Sequence, residues 1–349
     1  MKRRVLQTLR FFSIMRVTMK GGFLMRKINW GVLGTAGIAR GQTIPGMVLA
    51  ENCNLYAIAG RSMEKAQAFQ AEFGFEKAYD SYDALLADPQ VEAVYIPLPN
   101  ELHYEWTVKA LNAKKHVLCE KPLSPTPEQV EQLHAVAAEN GVFLMEAYAY
   151  LHSPYVQALK EELTNKTIGD VLYVESEFIT SDYNISNIRM RKETFGGSVY
   201  DLGCYCTTMV LWLLGQEPEK VQAVAEFSDR GIDTLATAIL TFPGGVKALL
   251  TSGMVLATDK DYRIDRLQIH GTKGSIKSDV RFNQAGQLQY TLWVEGKETV
   301  KTVTAPQNYQ LEVEQLGRCI LEGEVPYVSK EFSVSNSKVL QAILEKIGY

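Results

Sequence analysis

The stretch Lys27-Ile28-Asn29-Trp30-Gly31-Val32-Leu33-Gly34-Thr35-Ala36-Gly37-Ile38-Ala39 decides how the rest of the chain is read. Lys27 to Leu33 is an apolar-rich run that predicts a strand. It breaks at Gly34 and leads into a helix reaching about Leu49, perturbed by Pro45. In that setting a dinucleotide turn wants Gly-x-Gly-x-x-Gly/Ala. Gly34 is the first glycine and Ala39 the last small residue; Thr35 and Ile38 fill the turn. Ala36 stands where a second glycine would let a pyrophosphate approach closely. Its Cβ points toward the phosphates, and Gly37 next door restores some backbone freedom. The motif alone is weak, and its placement after a first strand carries the reading.

Working outward, strands and helices alternate with short loops. Asn54 to Ala59 reads as a strand ending at Gly60-Arg61-Ser62, and Ser62 is placed to cap a helix over 63–73. A helix over 82–87 stops at Asp88-Pro89. Val91 to Ile96 is a buried strand closed by Pro97-Leu98-Pro99-Asn100. A helix over 103–112 precedes His116-Val117-Leu118-Cys119-Glu120-Lys121-Pro122, a short buried strand with a lysine at its carboxyl end. A helix over 126–140 and a strand over 142–147 follow. This pattern predicts parallel βαβ units in a doubly wound sheet.

Near residue 148 the style changes. After a helix over 154–163, strands follow one another at 171–179, 221–227, 234–242, 246–252 and 266–271. Turn signals such as Pro243-Gly244-Gly245 separate some of them, and a helix over 199–214 interrupts the run. The expected division is a dinucleotide-binding domain over 25–148 and an α+β domain with a mainly antiparallel sheet over 149–349. Residues 1–24 are set aside as a non-native upstream start or a disordered extension, with Met25 the natural beginning.

The 349-residue chain has a net charge of −4. Its first 27 residues hold eight Lys/Arg and no acid, which leaves −12 on the remainder. An acidic body argues against nucleic-acid partners, and no apolar run is long enough to span a membrane. Five scattered cysteines read as reduced thiols of a cytoplasmic protein. Cys204-x-Cys206 has no second pair nearby, so no metal site is expected.

The candidate site gathers at the carboxyl ends of the first-domain strands, where open α/β sheets bind ligands. No acid ends the second strand to hold a ribose hydroxyl. Arg61 and Ser62 stand there instead, suited to a 2′-phosphate, so NADP is expected over NAD; Arg61 stacking on adenine keeps NAD open. Pro97, Asn100 and Glu120 border the expected nicotinamide position. His103 either contacts bound molecules or simply starts its helix. Lys121 meets the substrate. Downstream, Gly196-Gly197-Ser198-Val199-Tyr200-Asp201-Leu202-Gly203-Cys204-Tyr205 puts Asp201 and Tyr205 four apart on one helix face. An acid and a phenol facing a lysine form an acid–base set for carbinol–carbonyl chemistry. A nearby Lys⁺ is expected to lower the tyrosine pKa from its usual value near ~10. Tyr148, Tyr150, Tyr183 and Arg189 are further pocket candidates.

Together these stretches resemble the Gfo/Idh/MocA family, the glucose–fructose oxidoreductase and inositol dehydrogenase relatives, over nearly the whole chain from about Ile28. The marks are Gly34 to Ala39, Pro99-Asn100-x-x-His103, Glu120-Lys121-Pro122, Glu146-Ala147 leading to His152-Ser153-Pro154, and Gly196 to Tyr205. The resemblance implies a Rossmann domain, an open-faced second sheet that assembles homodimers or homotetramers, and hydride transfer between nicotinamide and a sugar, polyol or vicinal diol. It implies Lys121 as the catalytic lysine and Asp201 as the acid orienting a substrate hydroxyl. Tyr205, where many members have histidine, resembles the xylose dehydrogenase and dihydrodiol dehydrogenase branches, which tend to use NADP. Leu151 departs from an arginine common at that place. Two rival readings share the fold: a glycosidase that oxidises, eliminates and re-reduces on retained NAD, and a non-catalytic dinucleotide-binding sensor.

Overall fold

The computed structural model describes residues 26–181, 186–256 and 263–349. The residues set aside at the start of the chain, and Tyr183, lie outside these.

The first sheet is built from β1 (Ile28–Leu33), β2 (Cys53–Ala59), β3 (Lys77–Tyr79), β4 (Ala93–Ile96), β5 (His116–Glu120) and β6 (Leu144–Ala147). Its order is β3-β2-β1-β4-β5-β6 and every pairing is parallel. The strand order reverses between β1 and β4, which opens a crevice at their carboxyl ends. Both faces are covered, so β4 is buried at every residue and carries no polar alternation.

Helices α1 (Ile44–Leu49), α2 (Met63–Phe73), α3 (Tyr82–Ala87), α4 (His103–Asn112) and α5 (Pro127–Asn140) connect these strands. Ser62, Ser81 and Thr126 each accept a backbone N–H at a helix start. The helix after the glycine turn widens into an i→i−5 turn over Ala39–Thr43. Pro45 has no N–H for the carbonyl four residues back, and the wide turn precedes it.

The second domain opens with α6 (Pro154–Thr164) and β7 (Val171–Ser181). Then come α7 (Cys204–Leu214), β8 (Lys220–Phe227), β9 (Asp233–Thr241), β10 (Lys247–Leu256), β11 (Ile264–Gly271), β12 (Gly274–Ser278), β13 (Gly286–Val294) and β14 (Lys297–Ala305). These strands form one eight-stranded sheet, ordered β14-β13-β12-β11-β7-β10-β9-β8. All its pairings are antiparallel except β7 with β10. The inner face packs on α7, whereas the outer face leaves Val224 and Ile239 exposed.

Two closing helices, α8 (Asn308–Glu322) and α9 (Lys330–Ile347), return to the first domain. α8 packs on α1, and α9 packs on α5 as well as on α7 and β8. The two domains therefore share one wall, and the crevice of the first sheet faces the inner side of the second. Among the described residues no helix is long and apolar enough to cross a membrane.

Candidate active site

A cleft of about 520 Å³ opens where the two sheets face each other, within the size range of small-molecule and cofactor sites. The first domain lines it with Ala36, Gly37, Ile38, Pro97, Asn100, Glu120 and Lys121. The second domain adds Asp201, Tyr205 and Arg189, with Phe178 and Phe282. Residues separated widely in the sequence thus meet at one place.

The floor is set by the glycine turn. Gly34 sits at φ 127°, a left-handed-side conformation that a side chain rarely adopts, and a Cβ there would press on Leu98 at 3.1 Å. Nothing lies within 4 Å of the Cβ position of Gly37, which is exposed. The end of β2 lies against this turn, since a Cβ on Gly60 would come 3.4 Å from the Thr35 methyl. That places exposed Arg61 and half-buried Ser62 beside the turn and outside the cleft proper. Ser62 Oγ accepts the Lys65 N–H and keeps its own proton to donate. A strand end, an open glycine and a cation at the rim fit a dinucleotide phosphate.

Lys121 closes the deep end. Its Nζ donates to the main-chain carbonyl of Asp201 at 2.7 Å and to the carboxylate at 3.2 Å. Arg189 Nε meets the other carboxylate oxygen at 2.7 Å. Burial alone would push the Asp201 carboxyl up, but Lys121 and then Arg189 outweigh it and hold it well below the usual carboxylate range. Burial likewise opposes the Lys121 charge, and Asp201 more than restores it, so the ammonium is held above its ordinary value.

Asp201 belongs to a wide helical turn, Val199–Gly203, that precedes α7. Its start is anchored by fully buried Asp233, which accepts from Ser198 Oγ at 2.7 Å and from the Val199 N–H at 2.8 Å. Tyr205 lies in the regular helix beyond. The lysine stands over its ring, Nζ 4.9 Å from the centroid, and Phe178 and Phe282 pack around the same ring.

Several expectations need correction. The phenol of Tyr205 is not lowered by Lys121: burial first, then Cys204, Glu120 and Asp201, push it well above 10. His103 is not a cofactor contact. It is fully buried at the start of α4, and both ring nitrogens face main-chain carbonyls, of Pro122 and Leu98, at 2.8 Å. Tyr148 and Tyr150 are core residues rather than cleft residues, their hydroxyls engaged by Asn336 and Thr208.

Asn100 does border the cleft, and its amide nitrogen donates to the Phe195 carbonyl at 3.1 Å, tying the domains together. Glu120 is joined by the Tyr95 hydroxyl at 2.6 Å, and burial keeps its carboxyl above the usual range. Sequence reasoning missed Arg263, Asn283 and Tyr309 in the lining. None lies in a motif, and each reaches the cleft only through the folding of the second sheet and α8.

Comparison with known proteins agrees with this geometry. Residues 28–148 match the model described as an oxidoreductase family with an NAD-binding Rossmann fold, and residues 156–277 match the GFO/IDH/MocA C-terminal domain. A D-xylose 1-dehydrogenase (NADP(+)) of Haloferax volcanii is 35% identical, covering 90% of this chain and 96% of the relative. A trans-1,2-dihydrobenzene-1,2-diol dehydrogenase of Xenopus laevis is 32% identical, covering 92% and 98%. The crystal structure of a 3-ketoreductase from Actinomadura kijaniata, in complex with NADP and TDP-benzene, superposes with TM-score 0.86 at 30% identity, covering 92% of this chain and 98% of that one. With both domain models matched across most of its length, the chain belongs to the GFO/IDH/MocA family of oxidoreductases.

Proposed function

We propose that this oxidoreductase prefers NADP and exchanges a hydride with a CH–OH or C=O group of a sugar, polyol or cyclic vicinal diol. The observation that carries the reading is the contact of Lys121 with Asp201 and Tyr205 at the deep end of a cleft floored by a glycine turn. The named activities of the relatives, on xylose and on a dihydrodiol, support the substrate class.

When bound, the nicotinamide supplies the hydride donor or acceptor. Gly34, Thr35, Ala36, Gly37 and Ile38 would hold its phosphates, Arg61 and Ser62 the 2′-phosphate, and Pro97, Asn100 and Glu120 would line the nicotinamide end of the cleft. Lys121 donates to the reacting oxygen and stabilises its negative character as the C–H bond breaks or forms. Asp201 keeps Lys121 charged and orients a neighbouring hydroxyl. Tyr205 rests as a neutral phenol through the neutral pH range; it donates its proton to the same oxygen during reduction, and in oxidation its phenolate takes the carbinol proton back. The aromatic ring cluster around it excludes water and offers an apolar face to the C–H side of a sugar or diene ring. The exposed apolar residues on the outer sheet face support assembly into homodimers or homotetramers.

Tryptophan fluorescence titration with NADPH and NADH, side by side, tests the cofactor assignment. Tight NADPH with weak NADH supports it. The reverse preference contradicts it and favours the NAD-retaining glycosidase chemistry, which a chromogenic glycoside would then detect.

A further inference from the structure

Two buried side chains grip the turn that carries Lys121, and the reaction as described uses neither. His103 Nδ1 lies 2.8 Å from the Pro122 carbonyl, while Nε2 lies 2.8 Å from that of Leu98. Glu146, in β6 and 3% exposed, accepts the Leu123 N–H on Oε1 at 2.8 Å. Proline has no N–H, so the Leu123 N–H is the first backbone donor after Lys121. With the His103 proton assigned to Nδ1, the carbonyl and the N–H that follow the lysine are both taken by buried side chains from other elements. Leaving either unmet in this interior is costly.

The grip on Leu123 continues into the second domain. Tyr148, two residues on, donates its N–H to the Glu146 carbonyl at 3.1 Å and carries a buried hydroxyl. Asn336 Nδ2 donates to that hydroxyl at 3.0 Å, and Asn336 Oδ1 accepts from Thr207 Oγ1 at 2.6 Å. Thr207 lies in α7, two residues beyond Tyr205. Buried contacts through Tyr148 and Asn336 thus run from the segment that carries Glu146 to the helix that presents Tyr205.

We propose that His103 and Glu146 are positioning residues for Lys121: they lock the Pro122–Leu123 backbone and with it the line from Lys121 Nζ to Asp201. Burial pushes the Glu146 carboxyl up to about 7. The Leu123 N–H needs only an acceptor oxygen, which both protonation states provide, and a glutamine there provides one too. For His103 the anchor that matters is on Nδ1. An asparagine amide nitrogen reaches the Nδ1 position, whereas a glutamine amide reaches that of Nε2.

The kinetic part of the test rests on the catalytic reading of Lys121, and the crystallographic part does not. The variants are Glu146→Gln, Glu146→Met, His103→Asn and His103→Gln, with Lys121→Met alongside. Each is crystallised and assayed by NADP⁺ reduction with aldoses and cyclic diols. Glu146→Gln and His103→Asn keep Lys121 Nζ on Asp201. Glu146→Met and His103→Gln displace it and lose about a hundredfold in kcat, with KM changed less than about threefold, as misplacement of a reacting group predicts.

An unmoved Lys121 Nζ with wild-type kcat in Glu146→Met and His103→Gln overturns the proposal. Equal damage from Glu146→Gln and Glu146→Met overturns its hydrogen-bond basis. If Glu146→Met does not fold, the His103 pair decides. Full activity in Lys121→Met would instead refute the catalytic reading, leaving the crystal structures to judge the positioning role.

Discussion

Lys121 Nζ meets Asp201 twice, at its main-chain carbonyl and at its carboxylate. The carboxylate also holds Arg189, so one buried acid serves two cations. Asp201→Asn removes the charge and keeps the shape. One acceptor oxygen then stands where two did, so the side chain can no longer meet both Lys121 and Arg189, and neither keeps an ion pair. Turnover should fall by about a hundredfold or more, the usual scale for an acid–base partner, while the fluorescence-measured affinity for NADPH stays unchanged. Wild-type turnover in this variant would reduce Asp201 to a structural role.

Arg61 stands exposed beside the glycine turn, at the end of a strand that carries no acid. A charge-assisted contact with a 2′-phosphate is worth about 1.5–3 kcal/mol. Arg61→Ala should therefore weaken NADPH by about ten- to a hundredfold and leave NADH nearly unaffected. Equal losses for both cofactors would place Arg61 on the adenine instead.

The raised phenol of Tyr205 sets a pH expectation. A group whose burial penalises its anion stays protonated across the neutral range. The kcat profile for carbonyl reduction with NADPH should show no basic limb from Tyr205 below about pH 10, the value of an unperturbed tyrosine. Tyr205→Phe should lower turnover without moving the limbs that remain. A basic limb near neutrality that Tyr205→Phe abolishes would restore the picture of a lysine-activated phenolate.

Glu312 in α8 is fully buried, and among the described residues neither of its oxygens has a hydrogen-bond partner. Burial pushes its carboxyl well above the ordinary value of 4.5. The protonated form is compatible with the fold, so its contribution is complete below the unfolded value and is lost as pH rises past it. Glu312→Gln should raise the thermal midpoint at pH 8 and change it little at pH 4. Each kcal/mol relieved corresponds to about 2 °C in a chain of this size. A lower midpoint at pH 8 would show that Glu312 is ionised and paired.

How far the sequence discloses this molecule differs by region. In the first domain, buried strands such as β4 and β5 are uninterrupted apolar runs bounded by Pro, Gly or charged residues, so their type and order are plain. β3 is three residues of mixed polarity at the sheet edge and leaves no such trace. Past residue 271 the sequence pattern predicts no element. β14 is exposed along nearly its whole length and carries no apolar alternation.

The buried faces of the closing helices include polar residues that interrupt the apolar stripe, Glu312 and Gln315 in α8, and Ser333, Asn336 and Ser337 in α9. At the site, Lys121, Asp201 and Tyr205 were legible because each sits in a motif. The Arg189 pairing was not, because it depends on how the segment before Gly196 folds back: the Gly197 N–H donates to the Arg189 carbonyl. Nor could spacing reveal that the helix widens at Val199–Gly203, just before Tyr205.

The central claim is NADP-linked hydride transfer centred on Lys121. Its most direct test is the initial rate of NADPH formation by the wild-type protein and by Lys121→Met, over a panel of aldoses and cyclic vicinal diols. The account predicts that the wild type turns over at least one of them. It also predicts that Lys121→Met loses about a hundredfold or more while binding NADPH normally. Turnover by Lys121→Met at the wild-type rate, or reduction of NAD⁺ alone by the wild type, would contradict it.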